Sequence, residues 1–176
     1  MPEAANPITF PDFCIQLGIP AGCISNSSIA SENGRTFRII MQRGDQVWRV
    51  KVDHCWLHER DGAKTDYLFW CQCATGQKYI FLVELKGKNF GQALEQTRAM
   101  LIRLCKRSSI NIVHRGNYYA SPGHRLTAYH GVSAYVVLSS GRDVGFNQTE
   151  IAKIRKEFNI IVRSKTNQRE VTLPLG

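Results

Sequence analysis

Apolar and polar positions divide this chain into stretches of different period. After an opening rich in Pro, Gly, Ser and Asn, "TFRIIMQ" and "QVWRVKVDHCWLHE" alternate with a period near two, as strands do. "TDYLFWCQC" and "KYIFLVELK" are almost continuously apolar and are bounded by turn residues, which predicts buried strands. "RGD", "RDGAK" and "ATGQK" supply the turns between these segments. Strands joined this closely predict an antiparallel meander. The RGD triplet is read as a turn alone, since nothing else in the chain points to adhesion.

The period then changes. "GKNFGQALEQTRAMLIRLCKRS" sets Ala93, Gln96 or Thr97, Met100, Leu101 and Leu104 at helical spacing, with Asn89 as N-cap. "INIVHRG" and "SAYVVLSS" predict buried strands on either side of a His-, Tyr- and Gly-rich stretch. "NQTEIAKIRKEF" predicts a second helix, and "NIIVRS" and "REVTLPL" close the chain as short strands. Residues 1–34 are expected to form an irregular N-terminal segment with one short helix around Pro11–Leu17. Residues 35–176 are expected to form a single α/β domain, a mixed and mainly antiparallel central sheet flanked by helices.

Composition adds limits. With 176 residues, 43% of them hydrophobic, the chain can bury a sizeable core and does not belong to the disordered class. No apolar run approaches the roughly eighteen residues of a spanning helix. "IQLGIPAGCI" is too interrupted for a signal peptide, so no membrane association and a cytoplasmic location are the expectations. The six cysteines are scattered, and free, partly buried thiols are expected. A zinc set of Cys55, Cys71 and Cys73 with His54 and His58 is the alternative, but the usual closely spaced cysteine pairs are missing.

Charge is unevenly placed. Met1–Leu85 carries 8 Lys/Arg against 9 Asp/Glu, whereas Lys86–Gly176 carries 15 against 5. A basic half beside a neutral one suits a polyanionic partner, nucleic acid first. Lys88, Arg98, Arg103, Lys106 and Arg107 are the expected phosphate contacts.

The candidate chemistry lies where the last apolar run ends. "YIFLVELKGKN" puts Glu84 and Lys86 one residue apart at its exit, on the same face of a strand. Such side chains rarely enter a core unless paired or used. Pairing Cys73 with Lys78 across the turn sets Asp66 opposite Leu85; a slip of one residue sets it opposite Glu84 or Lys86. The slipped register is favoured, because it gathers otherwise stranded charged groups at one sheet edge. Two carboxylates can hold Mg²⁺, the carbonyl of Leu85 adds a further oxygen, and a lysine can orient water and offset charge on phosphate. No Ser-His-Asp arrangement or glycine-rich phosphate loop competes with this reading.

Asp66 opening one strand and "ELK" (Glu84, Leu85, Lys86) ending the next resembles the signature of the PD-(D/E)xK phosphodiesterase superfamily. That superfamily includes restriction endonucleases, Holliday-junction resolvases and RecB-type nucleases. "TDYLFW…FLVELKGKNFGQALEQTRAML" also looks like small uncharacterised members in which "ELKG" precedes a helix carrying a glutamine. The resemblance covers about Val50 to Cys105. It implies a restriction endonuclease-like core and Mg²⁺-dependent cleavage of DNA, with Mn²⁺ as substitute. It implies Asp66 and Glu84 as metal ligands and Lys86 as the group assisting the nucleophile.

The chain also departs from the pattern. Thr65 stands where the namesake proline would be, and Gln96 is followed at the RecB-type tyrosine spacing by Met100. Gln96, and Gln92 one turn earlier, are candidates to reach back toward the site, with an ordinary polar helix face as the alternative, and Glu59 is expected to fall roughly opposite Asp66 across the first hairpin. Asp53 is expected to lie too far along its strand. Glu3, Asp12 and Glu32 are candidates for an additional acidic ligand. No specificity domain is visible, so a homodimer or larger assembly is the expected source of target choice.

Overall fold

The computed structural model describes residues 9–86, 89–107, 113–114, 117–118, 131–138, 148–158, 161–166 and 168–172. Helix α1 (Phe10–Leu17) starts at Thr9, whose hydroxyl and backbone form a reciprocal capping box with Asp12. It stops at Gly18, whose φ of 65° lies in the left-handed region that glycine tolerates best. Phe10, Phe13, Cys14 and Leu17 recur at helical spacing and are all buried.

Beyond α1 the N-terminal segment is more ordered than its composition suggests. Strand β1 (Ile24–Ser25) pairs with β4 (Gln46–Lys51), and β2 (Ile29–Glu32) pairs with β3 (Arg35–Ile40), both antiparallel. Residues 9–34 therefore belong to the packed domain. The expectation of an irregular segment does not hold for these residues, because β1 finds its partner later in the chain and β2 turns back on β3 through the left-handed pair Asn33-Gly34; residues 1–8 lie outside the described residues.

The expected meander is present: β4, β5 (Tyr67–Gln72) and β6 (Lys78–Lys86) run antiparallel. Asn89 caps the following helix, its side-chain oxygen accepting the Gln92 N–H at 3.0 Å. That helix, α2 (Phe90–Arg107), buries Phe90, Ala93, Leu94, Thr97, Met100, Leu101 and Leu104. After the short pair β7 (Val113–His114) and β8 (Asn117–Tyr118), β9 (Gly131–Leu138) lies parallel to β6. Helix α3 (Gln148–Phe158) leads to β10 (Ile161–Thr166), parallel to β9. The central six-stranded sheet thus has the order β1-β4-β5-β6-β9-β10, with three antiparallel and two parallel junctions. This is an α/β fold with a mainly antiparallel sheet.

Side-chain alternation divides the core into two. Leu68, Trp70, Ile80 and Leu82 pack against residues of α1, α2 and α3. Phe69, Cys71, Phe81, Val83 and Leu85 face a second, three-stranded sheet in which β11 (Gln168–Thr172) lies parallel to β3. Phe37 of β3 is completely buried, with ring centroids 5.3 Å from Phe69 and 6.3 Å from Phe81. Helices cover one face of the central strands and a small sheet covers the other, so Tyr67–Cys71 and Tyr79–Val83 are apolar because both faces are buried.

The expectation of free thiols is corrected in part. Cys23 and Cys55 form a disulfide, with Cα atoms 5.6 Å apart, while Cys14, Cys71 and Cys73 remain buried thiols. Cys71 and Cys73 belong to the core under the small sheet, and Cys55 packs against the opposite core. The sheet therefore separates the thiols that the zinc alternative needs together. The RGD triplet is a turn: Asp45 accepts the Gln42 N–H at 2.7 Å and the Ala74 N–H at 3.0 Å, joining it to the β5–β6 turn. Among the described residues, no helix is long and apolar enough to cross a membrane.

Candidate functional site

The β5–β6 register decides which residues meet. Tyr67 pairs with Val83 and Gln72 with Lys78, so the ladder extended by one step brings Asp66 to Glu84. This is the slipped register. It arises because Lys78 pairs with Gln72 rather than Cys73, whose N–H closes the turn onto the Gln77 carbonyl at 2.8 Å. Gly76, at φ 86°, makes that turn possible.

Asp66 continues the row Trp70–Leu68, and Glu84 the row Ile80–Leu82, both toward the helix layer. Glu84 is fully buried and Asp66 nearly so. Glu84 Oε2 accepts the Asp66 N–H at 3.0 Å, and Asp66 Oδ2 accepts the Leu85 N–H at 2.6 Å. The two acids are thus locked across the strands by charge-assisted hydrogen bonds to main chain. Leu85 has its side chain in the opposite core, and its carbonyl accepts Arg35 Nη1 at 3.4 Å. Lys86 ends β6, paired with Leu138; its side chain lies outside those described.

The approach to Asp66 differs from the expected simple hairpin. Strand β4 ends at Lys51, opposite Tyr67, and the Val52 N–H donates to the Asp66 carbonyl at 2.9 Å. Glu59 therefore does not face Asp66; it is exposed on a short 3-10 turn, Glu59–Asp61. Asp53, expected to be distant, is adjacent: its N–H lies 3.4 Å from the Asp66 carbonyl. The cause is the register, which spends the intervening residues in an excursion from Val52 to Thr65 rather than in a longer strand.

That excursion is held by a residue absent from the expected set. The Lys64 ammonium is buried, 3.3 Å from Asp53 Oδ1, 3.0 Å from the His58 carbonyl and 3.3 Å from the Gly62 carbonyl. Its only sequence signal is its place two residues before Asp66, inside a stretch that reads as a turn. Arg35 gives no such signal, because it comes from the other sheet.

Of the remaining candidates, Gln96 lies on α2, and its Oε1 is buried without a hydrogen-bond partner among the described residues. Asp12 is occupied with capping α1. Glu32 is exposed at the end of β2, away from the buried acids; burial first, and then its carboxylate, pushes the Tyr67 phenol above its usual range. Glu3 and Lys88 lie outside the described residues.

The expected phosphate contacts divide as well. Arg98 makes a bidentate pair with Glu157 of α3, at 2.8 and 2.7 Å, and that hydrogen bonding holds its guanidinium pKa above the usual value. Arg103 donates to the Asp61 carbonyl. Lys106 and Arg107 end α2, with side chains outside those described.

Buried oxygen donors suit a hard cation such as Mg²⁺ better than a soft one. Asp66 and Glu84 supply two buried carboxylates from adjacent strands, and no group of three or more His, Cys, Asp or Glu forms a metal cluster among the described residues. The described acids at this point are therefore a carboxylate pair and not a larger cluster. No family model, curated protein or solved structure matches the chain.

Proposed function

We infer that the protein is a metal-dependent nuclease with a restriction endonuclease-like core, hydrolysing phosphodiester bonds, most naturally in DNA. The observation that carries this reading is the meeting of Asp66 and Glu84 across β5 and β6, where an apolar ladder ends in two buried acids. The meander, the capped helix α2 and the parallel strand β9 support it, since they stand in the order that the superfamily resemblance implies. The basic C-terminal half supports a polyanionic substrate.

In this reading Asp66 and Glu84 hold a divalent cation, Mg²⁺ or Mn²⁺, their positions fixed by each other's strand. Such a cation, when bound, supplies a water of lowered pKa and offsets charge developing on the phosphodiester. Lys86, from the end of β6, orients the attacking water and stabilises charge on the phosphoryl oxygens. Gln96 offers a buried amide oxygen that such a site could use.

The test is cleavage of labelled duplex, single-stranded and branched DNA and of RNA with Mg²⁺ or Mn²⁺, by the wild type and by Asp66→Asn, Glu84→Gln and Lys86→Ala. Cleavage lost in all three variants, with folding retained, supports the assignment. Equal cleavage by the variants removes it.

A second reading is favoured by one observation: both carboxylates accept main-chain N–H groups, as acids serving structure do. The domain would then be a catalytically silent module that binds nucleic acid or protein. Calorimetry showing no Mn²⁺ uptake by well-folded protein would favour it.

A further inference from the structure

The first turn of the excursion, Val52–Leu57, is tied both to Asp66 and to the N-terminal segment. Val52 and Asp53 donate to the Asp66 carbonyl, at 2.9 and 3.4 Å. Three bonds fold Val52–Leu57 into a tight turn: Leu57 N–H to the Val52 carbonyl at 2.9 Å, His54 N–H to the Leu57 carbonyl at 3.0 Å, and Cys55 N–H to the Val52 carbonyl at 3.4 Å. His54 holds φ 59° within it, a left-handed conformation that a non-glycine residue keeps only when its surroundings impose it. Cys55 is tied covalently to Cys23, just before β1. The path from Cys23 through Cys55 and Val52 to Asp66 is thus one disulfide followed by two hydrogen-bonded steps.

We propose that the Cys23–Cys55 disulfide is a redox-controlled clamp on the Asp66 carboxylate, closed when oxidised and released by a dithiol reductant. This inference rests on the metal-site reading above and concerns the regulation of that site. In the reductive step, a thiolate of the dithiol attacks one sulfur of the bridge and displaces the other as thiolate. The second thiol of the reductant then resolves the mixed disulfide, leaving two cysteine thiols and an oxidised reductant. Cys55 is half-buried, which leaves one edge of the bridge accessible.

The free thiols among the described residues favour re-pairing of the same two cysteines. Burial pushes the Cys14 thiol up to about 11 and raises those of Cys71 and Cys73, so these three are poor nucleophiles near neutral pH. They compete weakly for the bridge, and an oxidised dithiol re-forms it by the reverse exchange, its own disulfide being reduced to two thiols as Cys23 and Cys55 are joined. Opening the bridge leaves the turn with its hydrogen bonds and the Lys64 contacts, so the expected change is local loosening around Asp66 rather than unfolding.

The experiment uses the full chain. Peptide mapping under non-reducing conditions establishes the Cys23–Cys55 link. Mn²⁺ binding by calorimetry and amide hydrogen exchange are then measured on oxidised, dithiothreitol-reduced and reoxidised protein, with Cys55→Ser as a permanently open form. The expected result is Mn²⁺ binding weakened roughly tenfold or more on reduction and in Cys55→Ser, as for loss of an outer support of a metal ligand. Faster exchange should be confined to Val52–Tyr67, and reoxidation should restore both. Absence of the link, equal Mn²⁺ affinity in both redox states, or global unfolding on reduction overturns the clamp. If oxidised protein binds no Mn²⁺ at all, the metal-site reading fails, and the exchange data still judge the clamp: localised release of Val52–Tyr67 sustains it mechanically, and unchanged protection overturns it.

Discussion

Glu84 and Asp66 each serve the other's strand: the Glu84 carboxylate receives the Asp66 N–H at 3.0 Å, and the Asp66 carboxylate receives the N–H of the residue after Glu84 at 2.6 Å. Charge and hydrogen-bonding capacity can therefore be separated by mutation. Glu84→Gln keeps an oxygen to accept the Asp66 N–H but removes the charge. Its folding stability should stay within about 1 kcal/mol of wild type, while Mn²⁺ binding and cleavage are lost. Glu84→Ala leaves that buried N–H without its acceptor and should cost about 1–3 kcal/mol in denaturant unfolding. If Gln and Ala destabilise equally, the main-chain bond contributes little.

The small sheet is held to the central one by apolar contact, with Phe37 set against Phe69 and Phe81. Phe37→Ala removes a fully buried ring from between two sheets and should destabilise the domain by about 3–5 kcal/mol. Urea titration followed by Trp fluorescence measures this. A loss below 1 kcal/mol would mean that the small sheet adds little to the cooperative unit.

Local features of the sequence account for the helices and the meander. Asn89 caps α2 as its side chain permits, and Phe90, Ala93, Leu94, Thr97, Met100, Leu101 and Leu104 share its buried stripe. The register at Asp66 was legible only through its chemistry: turn composition alone sets that residue opposite Leu85, while stranded acids favour the slip. Non-local pairings were not legible. Strand β11 pairs with β3 across more than half the chain, and Cys23 finds Cys55 over a separation of 32 residues. Neither leaves a periodic trace. The misplacement of Glu59 and Asp53 came from extending β4 through an alternating stretch that actually breaks at Val52–Leu57, where the chain takes the left-handed turn at His54. Alternation continues there because Val52, Trp56 and Leu57 pack into the helix-side core without being strand.

Stability should depend on pH in a way that Cys14 partly sets. Burial on α1 raises its thiol from 9.0 to about 11. Below pH 9 both folded and unfolded chains hold this proton. Between pH 9 and about 11 the unfolded chain has released it while the folded chain keeps it, so rising pH favours unfolding. Cys14→Ala should make the decline in stability across that window shallower, leaving the remainder to groups such as Cys71. An unchanged slope in urea midpoints between pH 8.5 and roughly 11 would show that Cys14 does not stay protonated longer in the fold.

Basic residues of α2 should differ in what they do for nucleic-acid binding. The Arg98 guanidinium is engaged by Glu157 through two hydrogen bonds that join α2 to α3, so it acts first as a structural tie. Both partners are partly exposed, and Arg98→Ala should cost only about 0.5–1 kcal/mol of stability. Lys106 and Arg107, which end α2, are therefore the residues proposed to contact phosphate. Affinity for a duplex oligonucleotide, measured by fluorescence anisotropy over a KCl series, should fall steeply with salt. Lys106→Ala and Arg107→Ala should each reduce the slope of log affinity against log salt by about 1, whereas Arg98→Ala should leave it unchanged. A flat salt response in the wild type would argue against phosphate contacts altogether, and a reduced slope in Arg98→Ala would mean that the pair with Glu157 opens to bind nucleic acid.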